Sequence, residues 1–303
     1  MPTVDSKAEI KKILGVNVDL GLTMDDAVVR IEKILDSEGD NRLIATTSPY
    51  FIMSALKDPE FLHIVNNAAL SLPDGVGVLY ANHYLKKVAK LKKDVFFPLK
   101  AFFAGLQSGI EGFTKRSEFG SPITGVDLTY RLCELAEKRG YSVFLLGGGK
   151  RNNKGQMIDQ VNYDMAEDAA KTMRSLYPNL RIIGATSQFS RRPIDDTKTL
   201  SYITDCMNIN RIKRLDIMLV AYNPIQQEKW IQRNANKIPT RISVGVGRTF
   251  NYITNDMKQP SKKYEKMHLL WLYTFIKQPW RVKRVIMTFP LFPIKVFIES
   301  IKA

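Results

Sequence analysis

The chain has 303 residues, 45% of them hydrophobic, which is enough to bury one large core or two small ones. Two distant cysteines, Cys133 and Cys206, exclude a disulfide scaffold and a cysteine-rich zinc site, and they favour a cytosolic setting. The net charge is +15, so basic surfaces for an anionic partner are expected.

Thr23-Met-Asp-Asp26 is a helix start, with a hydroxyl cap and acids in the first turn. Ala27, Val28, Ile31, Ile34 and Leu35 follow at helical spacing, and Gly39 closes the helix. Arg42–Thr47 reads as a buried strand that ends in hydroxyls, and residues 51–56 and 60–69 read as helical. Ser71-Leu-Pro-Asp-Gly-Val-Gly-Val78 then sets Asp74 between a proline and two glycines. Proline fixes its own φ and glycine allows angles other residues avoid, so this corner presents its carboxylate. Asp74 is either a catalytic base or a cap on the helix entered at Val76. The three histidines, His63, His83 and His268, are scattered and offer no competing cluster.

Gly77–Tyr84 reads as a further short helix, and residues 86–120 show no strand pattern and read as an insertion. Beyond it the pattern alternates. Helix is expected over 128–139, 156–177, 198–208 and 226–236, and strand over 142–146, 180–184, 217–221 and 241–246. Continuous apolar strands alternating with helices predict an α/β fold with a mostly parallel, Rossmann-like sheet covered on both faces. The expected layout is a core over residues 1–257, interrupted by the 86–120 insertion, and a basic amphipathic helical appendage over 258–303.

In such folds ligands sit beyond the C-terminal ends of the strands. There this chain places Thr46 and Thr47, Gly147 to Gly149, Thr186, Tyr222 with Asn223, and Gly247 with Arg248. Glycines let a backbone approach a phosphate, and a following helix offers its N–H groups. A nucleotide or sugar-nucleotide site is therefore expected. Gly245-Val-Gly247 lacks the third glycine of the dinucleotide fingerprint, and no Walker lysine follows any loop. No Asp-x-Asp, a common metal–diphosphate clamp, is present, and a metal-free mechanism would need cations from Arg or Lys and from backbone N–H groups; no cofactor is expected.

The positive charge is concentrated. Residues 86–116 hold eight Lys or Arg against two acids, and residues 258–303 hold ten against two. Both stretches are also rich in large apolar groups, phenylalanines from Phe96 to Phe113 in the first and Trp271, Phe275, Trp280, Phe289, Phe292 and Phe297 in the second, and basic plus apolar is the combination that lies at a bilayer interface. Each cation near an anionic leaflet contributes about 1 kcal/mol. Nucleic acid is the disfavoured partner, because regular base-stacking aromatics are absent. No secretory leader is apparent, and prolines and lysines interrupt both apolar stretches, so no spanning helix is expected.

Seven motifs in order resemble the WecG/TagA/CpsF glycosyltransferases, glycosyltransferase family 26. They are Thr46-x-Ser-Pro49, Leu72-Pro-Asp-Gly-Val-Gly77, Gly125-Val-Asp-Leu128, Val143-Phe-Leu-Leu-Gly-Gly148, Gln227-Glu-Lys-Trp230, Gly245-Val-Gly247 with Phe250, and Trp271-Leu-Tyr273 followed by Gln278-Pro-x-Arg281-x-x-Arg284. The resemblance runs from about Leu14 to Arg284. It implies inverting, metal-independent transfer of a sugar from a UDP donor to a polyprenyl-diphosphate-linked saccharide, at the cytoplasmic face of the cell membrane. It implies that Asp74 is the general base and that Gln227 holds donor or acceptor hydroxyls. Substrate contacts are implied for Thr46 and expected for Thr47, Asp127, Gly147, Gly148, Gly247 and Asn251, with Arg281 and Arg284 on the diphosphate. It also implies a homo-oligomer.

Blander roles stand beside these. Gln227 would serve as a helix N-terminal residue, Asp127 as a cap, and Arg281 and Arg284 as lipid-facing cations. Glu228 and Trp230 read as capping and packing. Ser48, Asn223, Asn251 and Thr274 depart from the family's usual residues. A nucleotide-dependent oxidoreductase and a non-catalytic basic adaptor are the other readings of the sheet.

Overall fold

Leu14 and Gly15, both at positive φ (48° and 84°), turn the chain between β1 (Glu9–Ile13) and β2 (Val16–Leu20). A two-residue loop with two positive φ angles matches the twist of an antiparallel pair, and Ile13 indeed faces Val16 across it. The sequence pattern does not announce this hairpin, because leucine, rather than asparagine or aspartate, precedes Gly15 in the turn. The computed structural model describes residues 9–39, 41–115, 119–150, 152, 163–258, 264 and 270–302.

Six parallel strands form the main sheet: β3 (Arg42–Thr47), β4 (Leu70–Pro73), β5 (Ser142–Gly147), β6 (Arg181–Thr186), β7 (Leu215–Ala221) and β8 (Thr240–Gly245). Their spatial order is β4-β3-β8-β7-β5-β6. The expected mostly parallel sheet is therefore parallel throughout, and alternate side chains of its strands feed separate cores on its two faces. One face carries α1 (Met24–Asp36), α6 (Gly125–Arg139), α7 (Met165–Leu176) and α10 (Thr249–Ile253), with Ile31, Leu132, Ala169 and Phe250 against Ile44, Leu145 and Val244. The other face carries α8 (Asp196–Ile209) and α9 (Gln226–Asn234), with Ile203 and Trp230 against Phe144 and Val220.

Strand β4 is short and contains Pro73, two features that hid it in the sequence. Proline is tolerated because β4 is the last strand of its sheet. The hairpin packs beside this strand, and the Ser71 N–H donates to Asp19 Oδ2 at 2.8 Å. Burial raises the Asp19 carboxyl above its ordinary value, against the Ser71 N–H and Arg30.

A third cluster sits beyond that edge. It joins the hairpin to α2 (Pro49–Ala55), α3 (Pro59–Asn66), α4 (Val76–Val88), α5 (Phe97–Thr114) and α13 (Phe292–Lys302). Two further tail helices, α11 (Leu270–Lys277) and α12 (Val282–Ile286), precede α13. The patternless insertion of the sequence reading is thus largely one helix, α5. Phe97, Ala101 and Ala104 seat it, and Phe292 and Val296 anchor α13 in the same cluster. The helix expected over 156–177 is present as α7, and residues 156–162 of that expectation lie outside the described residues. No helix among the described residues is long and apolar enough to cross a membrane.

Candidate active site

Backbone hydrogen bonds hold the corner at Asp74 from two sides. The Asp74 N–H donates to the Thr47 carbonyl at 2.9 Å, and the Ile123 N–H donates to the Pro73 carbonyl at 2.9 Å. Gly75 follows at φ 91°, where a side chain would be strained, and α4 begins at Val76. Gly77 lies under Pro49, and a Cβ there would come within 2.7 Å of the proline Cγ. The glycines of this motif therefore serve the turn and its close packing. The cap of α4 is Gly75, with no side-chain cap bond, so Asp74 does not cap that helix.

Asp74 is half-buried, and its surroundings raise its carboxyl to about 6. Loss of solvent is the main cause. Arg284 opposes the shift and Asp127 adds to it. The structure thus brings Asp74, Asp127 and Arg284 into one electrostatic neighbourhood, though Asp127 and Arg284 lie 53 and 210 positions from Asp74 in sequence. Asp127 is exposed in the first turn of α6, where its N–H donates to Thr124 Oγ1 at 3.1 Å and its carboxylate accepts from that hydroxyl at 2.6 Å. It serves the helix start while facing Asp74. Arg284, on α12, lies with its guanidinium 4.7 Å from the Tyr50 ring centre. Burial lowers its pKa from the ordinary arginine value, and Asp74 opposes that.

Thr46 and Thr47 close β3 beneath this corner. Thr47 is fully buried and shares a 2.7 Å hydrogen bond with Ser71. Thr46 Oγ1 donates to the Gly245 carbonyl at 3.3 Å and lies against Gly125, at the start of α6. Thr46 thus ties the end of β3 to β8 and the start of α6, and Thr47 braces β3 against β4.

The second group of residues lies further along the same rim, beyond β5, β7 and β8. Neighbouring strands β5 and β7 send their connections in opposite directions, β5 outward to β6 and β7 inward to β8. Such a switch point leaves a crevice above the sheet. Gly147 and Gly148 border it at φ 87° and 99°. A Cβ on Gly147 would come within 2.6 Å of the Tyr222 ring, so the position requires glycine twice over. The Gly148 N–H donates to the Ala221 carbonyl at 3.1 Å. Asn251 is buried and donates from Nδ2 to the Gly149 carbonyl and to Asp256 Oδ2, each at 3.0 Å, which fixes the glycine loop from below.

Gln227 is buried at 1% exposure, which decides what its amide can reach. Its Oε1 accepts from the Gly247 N–H at 2.9 Å, and its Nε2 donates to Glu228 Oε1 at 2.6 Å. Glu228 Oε2 accepts from the Ile225 N–H at 2.6 Å. A Cβ on Gly245 would come within 2.2 Å of Glu228 and 2.4 Å of Gln227, so Gly245 makes room for this pair. Burial raises the Glu228 carboxyl to about 7, against the hydrogen bonds from Gln227 and Ile225. The loop so held is itself unusual. Asn223 and Ile225 both have positive φ (73° and 75°), and a β-branched residue there is a strained exception.

Gln278 links the tail to the rim, a role the sequence reading did not assign. Its Oε1 accepts from Arg248 at 3.3 Å and from Arg281 at 2.8 Å. Arg248, just past β8, and Arg281 thus converge on one acceptor, while Arg284 addresses Asp74. The only sequence signal for Arg248 was its place at a strand end. Among the described residues, no group of three or more His, Cys, Asp and Glu is placed to hold a metal ion.

Comparison with known proteins adds a family to this geometry. Residues 11–97 and 114–303 match the model of the glycosyl transferase WecG/TagA/CpsF family. The chain is 23% identical over 270 residues to an N-acetylglucosaminyldiphosphoundecaprenol N-acetyl-beta-D-mannosaminyltransferase of Bacillus subtilis, covering 89% of this chain and 84% of the relative. It is 23% identical over 297 residues to a protein of the same name from Staphylococcus aureus, covering 97% and 95%.

Proposed function

The chain belongs to the WecG/TagA/CpsF family and is a glycosyltransferase, and on that premise we propose that it moves a sugar from a UDP donor to a saccharide carried on a polyprenyl diphosphate. The named activity of the relatives makes an N-acetylmannosaminyl group the first donor to consider, with N-acetylglucosaminyl-diphosphate-undecaprenol as acceptor. The oxidoreductase and adaptor readings of the sheet give way to the family match.

The reaction is a single displacement. The acceptor hydroxyl oxygen bonds to C1 of the donor sugar as the bond from C1 to the diphosphate oxygen breaks. The hydroxyl proton passes to Asp74, and UDP leaves with the electron pair. One displacement inverts the anomeric centre, in keeping with the β-linkage in the relatives' name. The observation that carries this reading is the carboxyl of Asp74 at the rim, raised to about 6 and facing Arg284. A base with that pKa is ionised at neutral pH yet accepts a proton readily, and such a group contributes about 10²–10⁴-fold in rate.

No metal takes part in this proposal. Arg281 and Arg284 from the tail, with Arg248 beside them, supply positive charge to the departing diphosphate, and guanidinium suits it because it stays charged and bonds phosphate in pairs. The nucleotide occupies the crevice bordered by Gly147, Gly148 and Gly247. Thr46 contacts the sugar or its phosphate, and Asp127 the rim of the acceptor site. Gln227, Asn251 and Thr47 act from beneath as positioning residues. The lipid acceptor places the enzyme at a membrane surface, peripherally, on the cytoplasmic face.

The direct test is a screen of UDP-sugars against synthetic lipid-diphosphate acceptors, read by mass spectrometry. Appearance of one glycosylated lipid, equally in the presence of a metal chelator, is the expected result. Absence of transfer from every UDP-sugar, or transfer only with added metal, would overturn the proposal.

A further inference from the structure

Helix α5 carries two apolar stripes where a surface helix needs one. Phe97, Ala101, Ala104 and Ser108 are buried against the body of the protein. Leu99, Phe102, Phe103, Leu106 and Ile110 repeat at the same helical spacing and are 50–66% exposed. Val95 and Phe96, just before the helix, are exposed as well. The family match leaves out residues 98–113, almost the whole of α5. The stripe therefore lies outside the part of the chain that matches the family.

The tail continues the patch. Phe102 meets Phe297 of α13 edge-on, with ring centres 6.3 Å apart. Ile294 on α13, and Leu291, Phe289 and Ile286 before it, are exposed large apolar groups. Arg284, beside Asp74, lies two residues before Ile286, so the patch borders the candidate active site.

Charge selects the occupant. The segment 86–116 carries a net charge of +6. Lys90, Lys92 and Lys93 are exposed at the head of α5. A second copy packed stripe to stripe would bring the same positive charge against its own, whereas an anionic leaflet complements it and its acyl boundary accepts the apolar groups. We propose that α5 is a membrane-docking helix whose stripe from Leu99 to Ile110 enters the interface of an anionic bilayer beside α13. This deepens the peripheral placement proposed above and rests on it. The helix would set the height and tilt of the crevice over the lipid that carries the acceptor.

The test uses the full chain and vesicles that contain no acceptor. Vesicles of phosphatidylcholine alone and of phosphatidylcholine with phosphatidylglycerol are sedimented with the wild type, with a Phe102→Ser/Phe103→Ser/Leu106→Ser variant, and with a Lys90→Glu/Lys92→Glu variant. The wild type is expected on the anionic vesicles, and each variant is expected to partition at least about tenfold more weakly. The exposed positions leave the fold intact, which circular dichroism checks, and the charge variant keeps the test open should the apolar one misfold. Transfer to a short-chain, water-soluble acceptor should persist in the variants, while transfer to a vesicle-embedded acceptor falls with binding. Folded variants that bind anionic vesicles like the wild type would overturn the proposal. So would a wild-type dimer in light scattering that the apolar substitutions dissociate without loss of vesicle binding. Vesicle binding needs no turnover, so failure of the glycosyltransfer reading would show separately, as no transfer to either acceptor.

Discussion

At the scale of single residues, the account turns on which acids are presented and which are enclosed. Asp74 is half-buried at the rim with Arg284 holding its pKa down against burial. Removing that cation as Arg284→Gln is expected to move the acid limb of the pH–rate profile to higher pH, as well as to slow turnover. A limb that stays in place would separate Arg284 from the base. Glu228 is the enclosed counterpart, with both oxygens accepting hydrogen bonds. Its carboxyl is raised from 4.5 to about 7, so the folded state favours the protonated form. Its contribution to stability is complete below about pH 4.5 and is lost as the pH rises through about 7. Glu228→Gln places an amide N–H₂ against donors on one side. Urea unfolding should therefore show a loss of about 1–3 kcal/mol and a flatter decline of stability between pH 5 and 8. Asp74 was legible in the sequence because Pro73 and Gly75 bracket it. The inward turn of Gln227 was not, since a helix N-terminal glutamine carries no sign of whether its amide meets solvent or a neighbouring loop.

At the scale of elements, the strand–helix alternation after residue 125 was readable because continuous apolar strands and period-3.6 helices dominate it. The edge of the sheet was harder. β4 has four residues and a proline, and the β1–β2 hairpin turns at Leu14, so neither gives the usual signal. Both depend on pairing with distant chain: β4 with β3, and Asp19 with the Ser71 N–H. The glycine loop after β5 was visible as a run of glycines, but its necessity is spatial. Gly147→Ala would force a β-carbon into the Tyr222 ring at a left-handed φ. A loss of roughly 1–3 kcal/mol in urea unfolding is expected. An unchanged midpoint would show that the loop relaxes more freely than its contacts imply.

At the scale of the whole molecule, the tail completes the protein as well as the site. Phe292 and Val296 are buried with Tyr84 of α4, and the Tyr84 hydroxyl meets Ser300 at 2.7 Å. Ending the chain at residue 286 would uncover this cluster and cost on the order of 3–6 kcal/mol as an upper estimate for two buried apolar side chains. A clear drop in the thermal midpoint is expected. Deleting 258–303 in full is expected to abolish transfer, because Gln278, Arg281 and Arg284 leave with it, and to weaken vesicle binding, because the exposed apolar groups from Ile286 to Ile294 leave too. The positive charge of this segment was plain in the sequence. Its convergence on Asp74 was not, because Arg284 is 210 positions away along the chain. The central claim joins all three scales, and one measurement addresses it: the rate of sugar transfer from the UDP donor identified in the screen to a lipid-diphosphate acceptor, followed from pH 5 to 8 for the wild type and Asp74→Asn. The wild-type rate should rise through about pH 6 to a plateau, and the variant should fold normally and fall about 10²–10⁴-fold with no such limb. Wild-type turnover in Asp74→Asn, or the same limb in its profile, would contradict the account.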